Sequence, residues 1–193
     1  PRIPLGVIAS IRGDYAKTAS LAQQVLLISH SNGEIWHEMD SYYLFTRAAV
    51  LQGDFETAQR YAQKTYQLAK QNQEHWFMAY CLNELGNIAT ALGDYAPARG
   101  HFQASYQIRE EFDDPEGMAV ALNHLGNVTL IELDSQGAGE YFQQSRKIYQ
   151  KINDQGGLAA SFNGLARVAL AQGDLSEARQ CFLAALQISN EIQ

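Results

Sequence analysis

"LNELGNIATALGDYAPARGHF", residues 82–102, reads as one helix, its end, and the start of a second. Leu85 and Ala89 are four apart, as are Ala98 and Phe102, so each pair lies on a single helical face. Between the pairs stands Gly93-Asp94. Glycine fits the left-handed conformation that ends a helix. Aspartate accepts hydrogen bonds from the unpaired N–H groups that begin the next one. The small residues Gly86, Ala89 and Ala98 let the helix axes approach closely, and Leu85 and Phe102 fill the space between successive helix pairs.

The same frame returns every forty residues. One column holds Leu5, Phe45, Leu85, Leu125 and Leu165; the next holds Gly6, Thr46, Gly86, Gly126 and Ala166. Further columns hold Ala9, Ala49, Ala89, Thr129 and Ala169, then Thr18, Ala58, Ala98, Ala138 and Ala178. The last two are Ala22, Ala62, Phe102, Phe142 and Phe182, and Ile28, Leu68, Ile108, Ile148 and Ile188. A period of this length marks a repeat array of two-helix units. The pattern predicts helices near 4–12, 15–31, 35–52, 55–71, 75–92, 95–111, 116–132, 135–152, 157–172 and 175–191. It divides the chain into one array with repeats at about 1–33, 34–73, 74–113, 114–153 and 154–193. Polar links, such as "QNQE" (71–74) and "NDQGG" (153–157), separate the repeats.

This frame absorbs a motif that otherwise invites an adhesion reading. Arg12-Gly13-Asp14 is the first copy of the turn, and the later copies carry Gln52, Leu92, Glu132 and Gln172 in place of the arginine. Asp174 and Glu177 have the spacing of a capping box. At the fourth copy Leu133 replaces the glycine. A side chain at a left-handed position is costly, so a different turn is expected there. Gly137 and Gly139 follow it and weaken the start of that helix.

Bulk properties narrow the function. The 193 residues carry a net charge of −7, which disfavours nucleic acid and anionic membrane surfaces. No apolar run reaches the roughly 18–20 residues that span a bilayer, and "PRIPLGVIAS" lacks the ordered regions of a secretory signal. Cys81 and Cys181 have no CxxC spacing and fall in apolar helical stretches, so both are expected as buried thiols in a reducing cytoplasm. Pro1 in place of a starting Met reads as the cut end of a longer protein. His30, His37, His75, His101 and His124 form no metal-binding motif, and no cofactor is implied. Trp36 and Trp76 share a column and are expected in the core. No nucleophile elbow, phosphate loop or paired-carboxylate arrangement appears, so nothing suggests an enzyme.

The columns resemble the tetratricopeptide repeat, or TPR, which runs from an aromatic or Leu through Leu-Gly and Gly-Asp-Tyr to Ala and another aromatic. Residues 82–102 fit almost throughout; "LNHLGN" (122–127) and "FNGLARVALAQGDLSEARQCF" (162–182) fit well, and "YLFTRAAVLQGDF" (43–55) more loosely. The usual period is about thirty-four residues; the forty-residue form is similar to sensor regions of bacterial signalling ATPases and transcription regulators, to animal polarity scaffolds and to kinesin light chains. The resemblance covers essentially the whole chain. It implies an all-α, right-handed α-solenoid of about five units that acts in protein–protein interaction.

In that family the first helices of the pairs line a concave groove. Carried over residue by residue, the groove positions are Asp40, Tyr43 and Arg47; Tyr80, Asn83 and Asn87; Val120, Asn123 and Asn127; and Ala160, Asn163 and Arg167. An asparagine both donates and accepts, matching the backbone of an extended peptide, and Arg47 and Arg167 suit the carboxylates of an acidic partner. Five asparagines at about 0.5–1.5 kcal/mol each supply about 3–7 kcal/mol, short of the ~8 kcal/mol of a micromolar complex. Tyr43, Tyr80, Val120, Leu130 and Ile131 must then add apolar anchoring. The alternative is self-association through open array ends, giving a homodimer.

Overall fold

The computed structural model describes residues 15–32 and 35–192, and among them the regular structure is all helix. The helices are α1 (Tyr15–Asn32), α2 (Ile35–Gln52), α3 (Phe55–Gln71), α4 (His75–Leu92), α5 (Tyr95–Glu111), α6 (Pro115–Ile131), α7 (Ser135–Ile152), α8 (Gln155–Gln172) and α9 (Leu175–Glu191). Each agrees with its expected range to within two residues. The expected helix at 4–12 and the Arg12-Gly13-Asp14 turn lie outside the described residues.

Contacts group the chain into two compact units, Pro1–Asp94 and Tyr95–Gln193. In the first, α1 packs on α2, α2 on α3 and α3 on α4, and α2 also meets α4. In the second, α5 packs on α6, α6 on α7, α7 on α8 and α8 on α9, and α6 also meets α8. First helices of successive repeats are thus neighbours within each unit.

The turns show a shorter period than the sequence columns do. Left-handed residues recur every twenty positions: Gly53, Gln73, Gly93, Asp113, Leu133, Asn153 and Gly173. An acidic residue follows each of them, from Asp54 to Asp174. The bonds repeat too. Gly53 N–H donates to Val50 O (3.0 Å) and Asp54 N–H to Ala49 O (3.0 Å); Gln73 N–H donates to Lys70 O (3.3 Å) and Glu74 N–H to Ala69 O (2.8 Å). Turns within repeats and links between repeats are therefore one Schellman motif. The acid then caps the next helix: Oδ1 of Asp54, Asp114, Asp134, Asp154 and Asp174 accepts from the N–H three residues on, at 2.9–3.1 Å.

The expectation of a different fourth turn is corrected. Leu133 adopts φ 67° and makes the same bonds, Leu133 N–H to Leu130 O (3.1 Å) and Asp134 N–H to Thr129 O (3.2 Å). The motif is built from backbone groups alone, and the Leu133 side chain, 89% exposed, meets no obstacle. Leucine simply bears the strain there.

The small-residue columns form the helix contacts: Ala58, Ala98 and Ala138 are completely buried. Phe142 shows how the aromatic column works. Its ring lies between Gly126 and Gly164, where an added β-carbon would come within 2.9 Å and 2.3 Å of it. Ala138, Phe142, Leu165 and Val168 form the local core, with Leu130 and Cys181 packed against it. Two core expectations need correction. Cys81 is buried, but Cys181 is only partly so, because no described helix covers the outer face of α9. Trp36 and Trp76 are more than half exposed; Phe77 takes the buried place, and both indoles lean on it at 5.5 and 5.6 Å between centroids.

Candidate functional site

Each unit brings some of the predicted groove residues together. In the first, α2 supplies Tyr43 and Arg47, and α4 supplies Tyr80, Asn83 and Asn87. The hydroxyls of Tyr43 and Tyr80 share a 2.7 Å hydrogen bond, and their rings meet edge to face at 4.8 Å. Trp76 stacks on Tyr80 at 5.3 Å, extending the aromatic surface. Burial, with the neighbouring Tyr80, holds the Tyr43 phenol above its ordinary value. Arg47 lies 3.7 Å from the Glu84 carboxylate, a partner that the sequence reading did not find. Burial pushes the Glu84 carboxyl up and Arg47 opposes it. Asn83 is 8% exposed, and its Oδ1 is buried without a hydrogen-bond partner. Asn87 is half-buried.

In the second unit, α6 and α8 stand side by side over α7 and enclose a hollow of about 430 Å³. Val120, Asn123, His124 and Asn127 line it from α6, Phe142 and Tyr149 from α7, and Ala160, Asn163, Gly164 and Arg167 from α8. Four predicted site residues therefore converge: Asn123, Asn127, Asn163 and Arg167. The forty-residue step is visible as a bond, since Arg167 Nη1 donates to Asn127 Oδ1 at 2.6 Å. Ser161 Oγ donates to Asn123 Oδ1 at 3.4 Å. Asn163 is exposed. Of the proposed apolar anchors, Val120 lines the hollow, whereas Leu130 packs into the α7–α8 core.

His124 is a hollow residue that the sequence reading passed over. Its ring stacks parallel on Phe102, with centroids 4.8 Å apart and 6° between planes. Burial pushes its pKa down to about 4, so it is neutral at pH 7. The motif "LNHLGN" placed it between the Asn pair, but read only as a failed metal ligand it gave no other signal. Chemically the hollow offers a mostly apolar lining rimmed by neutral amides and one guanidinium, which suits recognition of a chain with both polar and apolar groups.

The family described as MalT-like TPR region matches residues 5–192. No curated protein is similar enough in sequence to count as a relative. Among solved structures, BtubC (BKLC) from P. vanneervenii is 20% identical with a TM-score of 0.79, covering 97% of this chain and 78% of that one. A putative kinesin light chain with TPR-like repeats from Podosopora anserina is 19% identical with a TM-score of 0.74, covering 100% of this chain and 94% of that one. A Rap protein complexed with competence and sporulation factor is 18% identical with a TM-score of 0.85; 97% of this chain is covered, and 52% of the Rap protein. These likenesses show the fold.

Proposed function

The chain belongs to the MalT-like TPR region family, and from that premise we propose that it is a protein- or peptide-binding module whose ligand lies in the hollow between α6 and α8. The observation that carries the reading is the convergence of Asn123, Asn127, Asn163 and Arg167 around that space. Asn163 is exposed at the hollow, and Asn123, whose Oδ1 accepts from Ser161 Oγ, has an amide nitrogen to donate to a ligand carbonyl. The fold supports this reading, since the similar Rap protein was solved with a factor bound. No described helix is long and apolar enough to cross a membrane. The module is a non-catalytic single array, the interaction or sensor region of a larger bacterial signalling or regulatory protein in the cytoplasm.

The test is affinity capture from a bacterial lysate with wild type beside Asn123→Ala/Asn163→Ala, each checked for equal thermal stability. A partner held only by wild type supports the hollow as its site. The same partners on both, or none on either, refute it.

A second reading, self-association, has one observation of its own. Phe102 and Phe142 are 1% exposed, but their column mate Phe182 is 39% exposed, beside Leu183 at 54% and Leu186 at 57% on α9. Light scattering against concentration, with Leu183→Glu/Leu186→Glu as control, decides it; a constant monomer mass refutes it.

A further inference from the structure

The first unit carries an aromatic surface that the repeat frame does not require. Trp36 and Trp76 each rest on Phe77, at 5.5 and 5.6 Å between centroids. Trp76 stacks on Tyr80 at 5.3 Å, and Tyr80 meets Tyr43 edge to face at 4.8 Å. The run therefore joins α2 to α4 through rings in contact. Phe77 is its buried member; Tyr43 and Tyr80 are half-buried, and both indoles are more than half exposed.

Packing explains Phe77 but not the indoles. Phe77 fills the core with Met39 and Ala69. The later repeats fill the same place from the opposite side, with Arg109 over Gly117 and Tyr149 over Gly157. The indole column continues as Glu116 and Gly156, and the Tyr80 column as Val120 and Ala160. Helices α6 and α8 form without any of these rings. Exposed aromatic area of this kind marks an interaction surface.

Charge and spacing select the partner. Helices α2 and α4 carry three acids, Glu38, Asp40 and Glu84, and one base, Arg47. Arg47 faces Glu84 at 3.7 Å, so the remaining balance is negative. Asp40 stands four residues after Trp36 and three before Tyr43, on their helical face. It is half-buried, and salt screens a partly buried pair less than an exposed one. The two indole centroids are at most about 11 Å apart, since both lie against the one Phe77 ring. One turn of a polyproline II helix rises about 9 Å, and its carbonyls make no internal hydrogen bonds. The Tyr43 and Tyr80 hydroxyls share one bond, which leaves the pair one hydrogen to donate.

We propose that this surface, built from none of the residues of the hollow, docks a proline-rich segment of a partner protein that carries a lysine or arginine. Prolines one turn apart pack on the indoles of Trp36 and Trp76. A ligand carbonyl accepts from the tyrosine pair, and the cation lies by Asp40.

The chain has two tryptophans, and both belong to this surface, so their fluorescence reports on it directly. Three ten-residue peptides are titrated into the intact chain: nine prolines with a central lysine, nine prolines with a central glutamate, and a Gly-Ser peptide with a central lysine. The proline–lysine peptide is expected to give a saturable change in emission, the glutamate form to bind about fivefold more weakly, and the Gly-Ser peptide to give none. Trp36→Ala and Trp76→Ala, each read through the remaining indole, should weaken binding about two- to tenfold while melting near wild type. Asp40→Asn should bring the lysine and glutamate forms together. An equal response to the Gly-Ser peptide overturns the proline ligand, and equal binding of the two proline peptides by wild type overturns the basic one. No saturable response to any peptide, or binding unmoved by either tryptophan substitution, overturns the site.

Discussion

Gly164→Ala should destabilise the second unit, although alanine is the better helix former. In an open helix interior this substitution gains about 1 kcal/mol. Here the new β-carbon would stand 2.3 Å from Cδ1 of Phe142, more than 1 Å inside ordinary contact. The ring has nowhere to go. It is 1% exposed and already rests on Gly126, where even an absent β-carbon would sit 2.9 Å away. Overpacking of this kind costs about 1–3 kcal/mol, which cancels or exceeds the propensity gain. Gly139→Ala supplies the comparison, since its β-carbon meets only Val168 Cγ1 at 3.5 Å and should gain about 0.5–1 kcal/mol. For a chain of this size that is a rise of about 1–4 °C in melting temperature, against a fall for Gly164→Ala. Thermal unfolding followed by circular dichroism reads both. In a Phe142→Leu background, Gly164→Ala should become neutral or stabilising, because the smaller side chain vacates the space. A Gly164→Ala protein that melts above wild type, or one whose loss persists without Phe142, would refute the reasoning.

Leu133→Gly should stabilise: a left-handed leucine costs about 1–2 kcal/mol, glycine's extra chain entropy returns about 0.5–1, and denaturant titration should show a net gain near 0.5–1 kcal/mol. Gly137→Ala should give less than Gly139→Ala, since its β-carbon would meet the capping Asp134 Oδ2 at 2.3 Å and the carboxylate must turn; equal gains would contradict this. The Glu84 carboxyl is raised in the folded chain, so the folded state holds that proton to higher pH than the unfolded one does. Its contribution is greatest below the ordinary carboxylate range and is lost as pH rises through the raised value. Stability of Glu84→Gln should fall less than wild type over that window, as read by unfolding at a series of pH values. Thiol titration should find one accessible cysteine, Cys181, while Cys81, buried with its pKa pushed up to about 12, reacts only on unfolding.

Residues that repeat were legible, and residues that work once were not. The forty-residue columns reached the helix boundaries because packing demands the same small residue each time, as at Ala58, Ala98 and Ala138. The twenty-residue period stayed hidden because glycine marks only alternate turns; Gln73, Asp113 and Asn153 adopt the same conformation without that signal. Trp36 and Trp76 shared a column, yet the core place went to the adjacent Phe77. Arg47 and Arg167 looked alike because each carries charge on a first helix, and the difference lies in Glu84, a carboxylate that no periodicity announces. This asymmetry has a physical basis. Positions that hold helix on helix are constrained by every neighbour and so recur. The exposed positions at the hollow, Asn163 and Arg167, are held by fewer neighbours, so the repeat frame does not dictate their chemistry. The column Arg47, Asn87, Asn127, Arg167 carries charge at its two ends and amides between them. Specificity in such an array is therefore to be sought where the period breaks on the first-helix faces, and the hollow at Arg167 is one such break.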